Sequence, residues 1–175
     1  MISEQARERM HSLAARYPMS RSALLPALHI AQEEEGYLTP EGIETVAEVL
    51  NLTTDDVKSV ATFYTMYYQR PHGQNVISVC TGISCYLRGC DQLMEHLKSR
   101  LGVQRGETTP DGSFTLEGME CLASCGTAPV LQVNGEFVEN VTLDMADALL
   151  DELGRELKAK KVLQSPQGGS TERIK

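Results

Sequence analysis

Asn75–Cys85, NVISVCTGISC, reads as two things in succession. Its first half, NVISVC, is short, apolar and rich in β-branched residues, which predicts a strand ending at Cys80. Its second half is a loop that brings a second cysteine, Cys85, after four residues, with Gly82 able to supply a positive φ inside it. A second pair stands downstream in Glu120–Gly126, ECLASCG, where Cys121 and Cys125 enclose three residues and Gly126 offers the same freedom. Four of the five cysteines therefore fall in two tight pairs, and their chemistry decides the reading of the chain.

Working outward, a helix is expected to begin near Cys85. Leu87, Cys90, Met94, Leu97 and Leu101 recur along it at steps of three and four, the spacing of one helical face. The segment TTPDGS holds the turn chemistry of Pro110-Asp111-Gly112, and FTLEGME then alternates like a strand and delivers Cys121. PVLQVNGEFVE predicts two strands joined at Asn134-Gly135, a strong hairpin signal. A last helix is expected from near Thr142, with Leu143, Ala146, Leu150, Leu153 and Leu157 on one face and Lys158, Lys160 and Lys161 suited to its negative end. The order strand, helix, strand, strand, strand, helix predicts an α/β domain, a small sheet with helices packed on it, of thioredoxin-like type. Both cysteine pairs fall where a strand gives way to a loop. That is the end of the sheet at which α/β folds present ligand sites, so the two pairs can converge there.

The first third of the chain reads as four short amphipathic helices. Ser3 is the expected cap of the first, which carries Ala6, Met10, Leu13, Ala14 and Tyr17 before Pro18 stops it. The second is expected from Ser20 or Ser22 to Gly36, with Pro26 near its first turn or kinking it. Thr39 and Pro40 open the third, and Thr53 or Thr54 the fourth, on which Val57, Val60, Ala61 and Tyr64 are the apolar positions. The expected organisation is a helical bundle over residues 1–73, the α/β domain over 74–160 and a polar, Gly-rich, flexible tail over 161–175.

The charge of −8, with 24 Asp and Glu against 16 Lys and Arg, argues against nucleic acid or an anionic membrane as the main partner. No apolar run approaches the ~20 residues that cross a bilayer. The start, MISEQARERM, lacks the apolar core of a secretory signal, so a reducing cytoplasm is expected, where stable disulfides are uncommon. The odd cysteine count points the same way. Two convergent thiol pairs are a metal constellation. Spacings of four and three are looser than the two-residue knuckle common around zinc, while C-x4-C occurs as a ligand pair in plant-type [2Fe-2S] proteins. Spacing favours iron and sulfide over zinc without deciding it, and a zinc-stabilised interaction module or a thiol-based redox sensor stays open. None of His11, His29, His72 or His96 flanks a pair, which argues against a mixed Cys and His site. Cys90 lies on the apolar stripe and is expected in the core as a small hydrophobe. No C-x-x-C of the thioredoxin kind is present.

With both pairs placed, the chain resembles a family. CTGISC followed by YLRG, then ECLASCGTAPVLQVN, is similar to the small [2Fe-2S] subunit, the thioredoxin-like ferredoxin, of bacterial NADH:quinone oxidoreductase, respiratory complex I. The helical segments QEEEGYLTPEGIETVAEVLN and VKSVATFYTMYY agree with it. The resemblance implies that Cys80 and Cys85 hold one iron of a [2Fe-2S] cluster and Cys121 and Cys125 the other. It implies a one-electron carrier docked on a flavoprotein subunit that binds FMN and NADH, at the inner face of the cell membrane through the complex and not inserted in it. Activity would belong to the assembly, since this chain offers no acid, base or nucleophile and no glycine-rich dinucleotide cradle. The equivalent subunit of an NAD-linked hydrogenase or formate dehydrogenase fits the same motifs.

Overall fold

The computed structural model describes residues 2–164, with side chains through residue 159. Its backbone divides into two units, one ending at His72 and the other starting at Gly73.

In the first unit, caps set the helix starts. Ser3 Oγ accepts the Ala6 N–H at 3.2 Å and opens α1 (Glu4–Ala14). The helix stops at Ala14, so Tyr17, expected on its apolar face, lies beyond it and is exposed. A single 3-10 turn at Ser20–Ala23 leads into α2 (Leu24–Glu35), which closes on Gly36 at φ 79°. Pro26 is thus the third residue of α2, among the helix-start positions whose N–H has no partner within the helix. Thr39 caps α3 (Pro40–Leu50) and Thr53 caps α4 (Thr54–Phe63), each accepting an amide of the first turn. Tyr64, expected on α4, ends it in extended conformation instead. Met10, Leu28, Val46, Leu50 and Val57 are the large, fully buried side chains of this unit.

The second unit is built on β1 (Asn75–Cys80), whose six residues are all buried. The helix expected from Cys85 is two helices, α5 (Ile83–Leu87) and α6 (Cys90–Leu101). Gly89, at φ 93°, takes the left-handed conformation that breaks them. The break resets the helical phase. Leu87 is 76% exposed, while Cys90, Leu93, Met94 and Leu97 face the core. A two-residue strand, β2 (Glu107–Thr108), is too short to leave a periodic signal and was not expected. β3 (Phe114–Met119) follows a turn in which Asp111 accepts from Thr109 Oγ1 at 2.6 Å and from the Ser113 amide at 3.0 Å. β4 (Leu131–Val133) and β5 (Glu136–Val138) form the expected hairpin, with Asn134 and Gly135 both at positive φ as a type I′ turn demands. Thr142 Oγ1 accepts the Met145 amide at the start of α7 (Leu143–Gln164). Leu143 is exposed, contrary to its place on the expected stripe, whereas Ala146, Leu150 and Leu157 are buried. The helix runs through Gln164, so residues 161–164 are helical instead of tail; the rest of the expected tail, 165–175, lies outside the described residues.

The architecture is α/β, with strand order β2-β3-β1-β4-β5. β1 and β3 are parallel and their neighbours antiparallel. Register pairs Asn75 with Phe114 and Cys80 with Met119. Both central strands therefore end at one rim of the sheet, and the chain leaves each of them there. Thr81 ties the two exits together, its amide and hydroxyl both donating to the Met119 carbonyl, at 2.8 and 3.1 Å.

The other end of this pairing depends on a glycine. Gly73 donates to Thr115 Oγ1 at 2.6 Å, and a Cβ placed on it would lie 2.5 Å from the Phe114 carbonyl carbon and 2.8 Å from the Thr115 nitrogen. The obstacle is backbone, which cannot rotate away. Gly73→Ala is expected to lower stability by about 2 kcal/mol, within the range for overpacked sites. A urea-unfolding midpoint equal to that of the parent chain would contradict this.

Candidate functional site

The shared rim carries the cysteines. Cys80 is the last residue of β1, and Cys85 is the third residue of α5. Cys121 follows β3 by two residues, and Cys125 opens a three-residue 3-10 turn. All four line one cavity of about 240 Å3, walled also by Gly82, Ile83 and Val130, and its surface is almost entirely apolar. The two loops that the sequence placed at strand ends do converge. Their burial is unequal: Cys80 and Cys85 are buried, whereas Cys121 and Cys125 are exposed. All five cysteines are free thiols. Among the described residues, no three His, Cys, Asp or Glu side chains converge as they would on one chelated ion.

Glycine acts here differently from expectation. Gly82 lies at φ −63° and caps α5 in ordinary extended conformation, so positive φ is not its purpose. A Cβ on it would stand 3.2 Å from the Glu120 carbonyl oxygen, 3.6 Å from Cys80 Sγ and 3.8 Å from Cys121 Cβ. The missing side chain lets one loop approach the other and leaves the cavity open. Gly126 is not left-handed either; the positive φ of the second loop belongs to Ala123, at 57°.

Backbone amides reach the sulfurs. Burial works to raise the Cys80 thiol. It is outweighed by the Leu122 and Gly82 amides and by hydrogen bonds from Cys85 and Cys121, so the net direction is downward. Cys85 moves the opposite way, pushed up to about 11, first by burial and then by its hydrogen bond to Cys80, with the Val130 amide opposing. The two neighbouring thiols are thus shifted in opposite directions, Cys80 down and Cys85 up. The Ala123 amide donates to Cys121 Sγ at 3.3 Å. Hydrogen bonds to the charged form are what favour thiolate in an apolar setting. Leu122, Ala123 and Val130 left no sequence signal for this role, because an N–H is present on every residue but proline.

Cys90 stands apart from the cavity. It is 1% exposed and belongs to the core cluster with Leu93, Met94 and Leu97, as its stripe position implied. Burial pushes its thiol up, with Asp91 adding to the effect. Three of the four histidines make contacts of their own. His96 bonds Asp147 at 2.8 Å, His29 packs edge-on to Tyr67, and His72 lies against the Tyr68 ring.

The chain is similar to known proteins in sequence and in fold. The family described as thioredoxin-like [2Fe-2S] ferredoxin matches residues 10–154. The E subunit of NADH-quinone oxidoreductase from Mycobacterium tuberculosis is 48% identical over 141 residues, covering 81% of this chain and 56% of that protein. The second E subunit of NADH-quinone oxidoreductase from Rhizobium meliloti is 45% identical over 145 residues, covering 83% of this chain and 86% of that protein. The chain therefore spans little more than half of the mycobacterial relative and most of the rhizobial one. Among solved structures, an NAD+-reducing [NiFe]-hydrogenase in its air-oxidised state superposes with a TM-score of 0.68. That match covers 76% of this chain and 23% of the other at 22% identity, a likeness of fold.

Because Cys90 fills core space, Cys90→Ala is expected to cost about 1 kcal/mol, the scale for deleting one buried methyl-sized group. Denaturant unfolding measures it; a loss above several times that would show that Cys90 does more than pack.

Proposed function

This chain belongs to the thioredoxin-like [2Fe-2S] ferredoxin family, together with the NADH-quinone oxidoreductase E subunits, and from that premise we propose that Cys80, Cys85, Cys121 and Cys125 hold a [2Fe-2S] cluster. Cys80 and Cys85 bind one iron and Cys121 and Cys125 the other. One observation carries the reading: parallel strands of matched register deliver two thiol pairs to a single apolar cavity. Three features of the chain suit such a group. Its four donors are thiols on two loops, as the wide rhomb of a binuclear cluster requires. Gly82 leaves open the space that a Cβ would narrow. Amides of Gly82, Leu122, Ala123 and Val130 point at three of the sulfurs and favour their negative charge.

A bound [2Fe-2S] cluster supplies one-electron oxidation and reduction. The chain's residues hold the sulfurs, exclude water from Cys80 and Cys85, and present Cys121 and Cys125 to the surface. In this reading the chain is the one-electron carrier subunit of the NADH-oxidising module of NADH:quinone oxidoreductase. It works beside a subunit that holds FMN and NADH and is not catalytic by itself. The complex places it at the cytoplasmic face of the membrane; among the described residues no helix is long and apolar enough to cross one.

The surface beside the site supports a protein partner. On α5, Ile83, Tyr86 and Leu87 are 72, 57 and 76% exposed. The loop and helix from Thr81 to Gly89 carry one charged residue, Arg88, and residues 121–135 carry none, although the chain holds 40 charged side chains, 16 basic and 24 acidic. Sparse charge with exposed aromatic and aliphatic groups is the composition of an interface core. The identity with E subunits of the quinone-reducing complex favours that assembly over a hydrogenase, with which the likeness is one of fold.

Protein purified without oxygen is expected to be brown and to contain iron and acid-labile sulfide in equal amounts. Cys80→Ala and Cys121→Ala will each lose both, while Cys90→Ala keeps them. A colourless, zinc-containing protein would reject the reading, and bleaching by Cys90→Ala alone would overturn the ligand set. From its native cells the tagged chain is expected to bring down an FMN-containing subunit; recovery as a stable monomer would count against the assembly.

A further inference from the structure

The two halves of the site are held in different ways. Cys80 and Cys85 are fixed by β1, α5 and the core beneath them. The loop from Glu120 to Pro129 reaches that core only through Leu122 and Ala128: Cys121 and Cys125 are exposed, Ala123 is left-handed, and the loop's only regular structure is the short turn at Cys125–Thr127. Between those two anchors, the segment that carries Cys125 takes polar contacts from outside the loop.

We propose that Glu139 is the positioning residue for Cys125. It stands one residue beyond β5, far from the cysteines in sequence. Its Oε1 accepts from Ser124 Oγ at 2.6 Å and from Thr127 Oγ1 at 2.8 Å, and the two hydroxyls are themselves 2.8 Å apart. Ser124 immediately precedes Cys125, and Thr127 ends the turn that Cys125 begins. A single carboxylate oxygen therefore grips both ends of the segment that presents this sulfur. Backbone bonds complete the frame. The Thr127 amide donates to the Ser124 carbonyl at 3.2 Å, and the Asn140 amide donates to the Thr127 carbonyl at 2.8 Å. The two hydroxyl donors hold the Glu139 carboxyl below the usual range, as bonds made to its ionised form should. Short hydroxyl-to-carboxylate bonds are about twice as strong as neutral ones. Glu139 touches neither sulfur nor the cavity; it acts through Ser124 and Thr127. The inference rests on the reading that Cys125 is a cluster ligand, but the grip on the loop does not.

The test compares the full chain with Glu139→Ala and Glu139→Gln. In the cluster-free chain, hydrogen exchange at the Thr127 amide is expected to be at least about tenfold faster in Glu139→Ala, since the loss of one of its two charge-assisted hydrogen bonds already has that effect. Exchange in β1 stays unchanged and shows that the fold is intact. Glu139→Gln, which keeps an acceptor oxygen, falls between the two. In the loaded chain, Glu139→Ala is expected to bleach faster under a chelator and to alter the electron paramagnetic resonance line shape of the reduced protein, with Glu139→Gln restoring both. Unchanged Thr127 exchange, or unchanged bleaching and line shape in Glu139→Ala, would overturn the proposal. If no chain, the parent included, assembles iron and sulfide, the ligand reading falls, and the exchange rates still decide whether Glu139 holds the loop.

Discussion

Everything at the site depends on β1 and β3 running parallel in one register. Antiparallel neighbours would send successive strand ends to opposite rims of the sheet. Parallel pairing sends both to the same rim, and the match of Cys80 with Met119 makes the strands stop together. The Thr81 bonds to the Met119 carbonyl then lock the exits side by side. Two thiol pairs separated by α6 and two strands thereby meet across a cavity. The cost of this arrangement is backbone crowding, and it is relieved at both ends by glycine: Gly73 where the strands begin and Gly82 where they finish.

Within the cavity, opposing electrostatic effects act on the thiols. Removal from water raises the energy of a thiolate, while amide donors lower it. At Cys80 the amides of Leu122 and Gly82 prevail; at Cys85 burial and the neighbouring sulfur prevail. Much of that donor set comes from the opposite loop, so convergence of the loops creates both the cavity and its electrostatics. The exposed half, Cys121 and Cys125, lies on a loop anchored in the core by Leu122 and Ala128, with hydroxyl and carboxylate groups bracketing Cys125. One side of the site is therefore buried, and the other borders solvent.

Local signals were the most legible. Ser3, Thr39, Thr53 and Thr142 each accept an amide in the first turn of a helix, because a short polar side chain can close that turn wherever it stands. Asn134-Gly135 made its hairpin for a similar reason: few dipeptides tolerate two positive φ values in succession. The misreadings came where a periodic pattern crossed a break. Leu87 matched the spacing of Cys90, Met94 and Leu97, yet Gly89 ended one helix and began another, turning Leu87 outward. Gly82 and Gly126 drew attention as conformational devices, although Gly82 matters for the space it leaves and Ala123 carries the strained angle.

The sequence by itself determined the chemistry available: four thiols in two pairs, their strand-end positions, an apolar stripe that takes Cys90 into the core, and an α/β order of elements. These follow from side-chain identity and from periods of two and 3.6 residues, which are local properties. Only the tertiary structure decided that the pairs share one cavity, which amides reach which sulfurs, and that Glu139 grips the second loop. Those facts depend on strand register and on contacts between residues distant along the chain, and no local pattern encodes which backbone N–H a fold will aim at a sulfur.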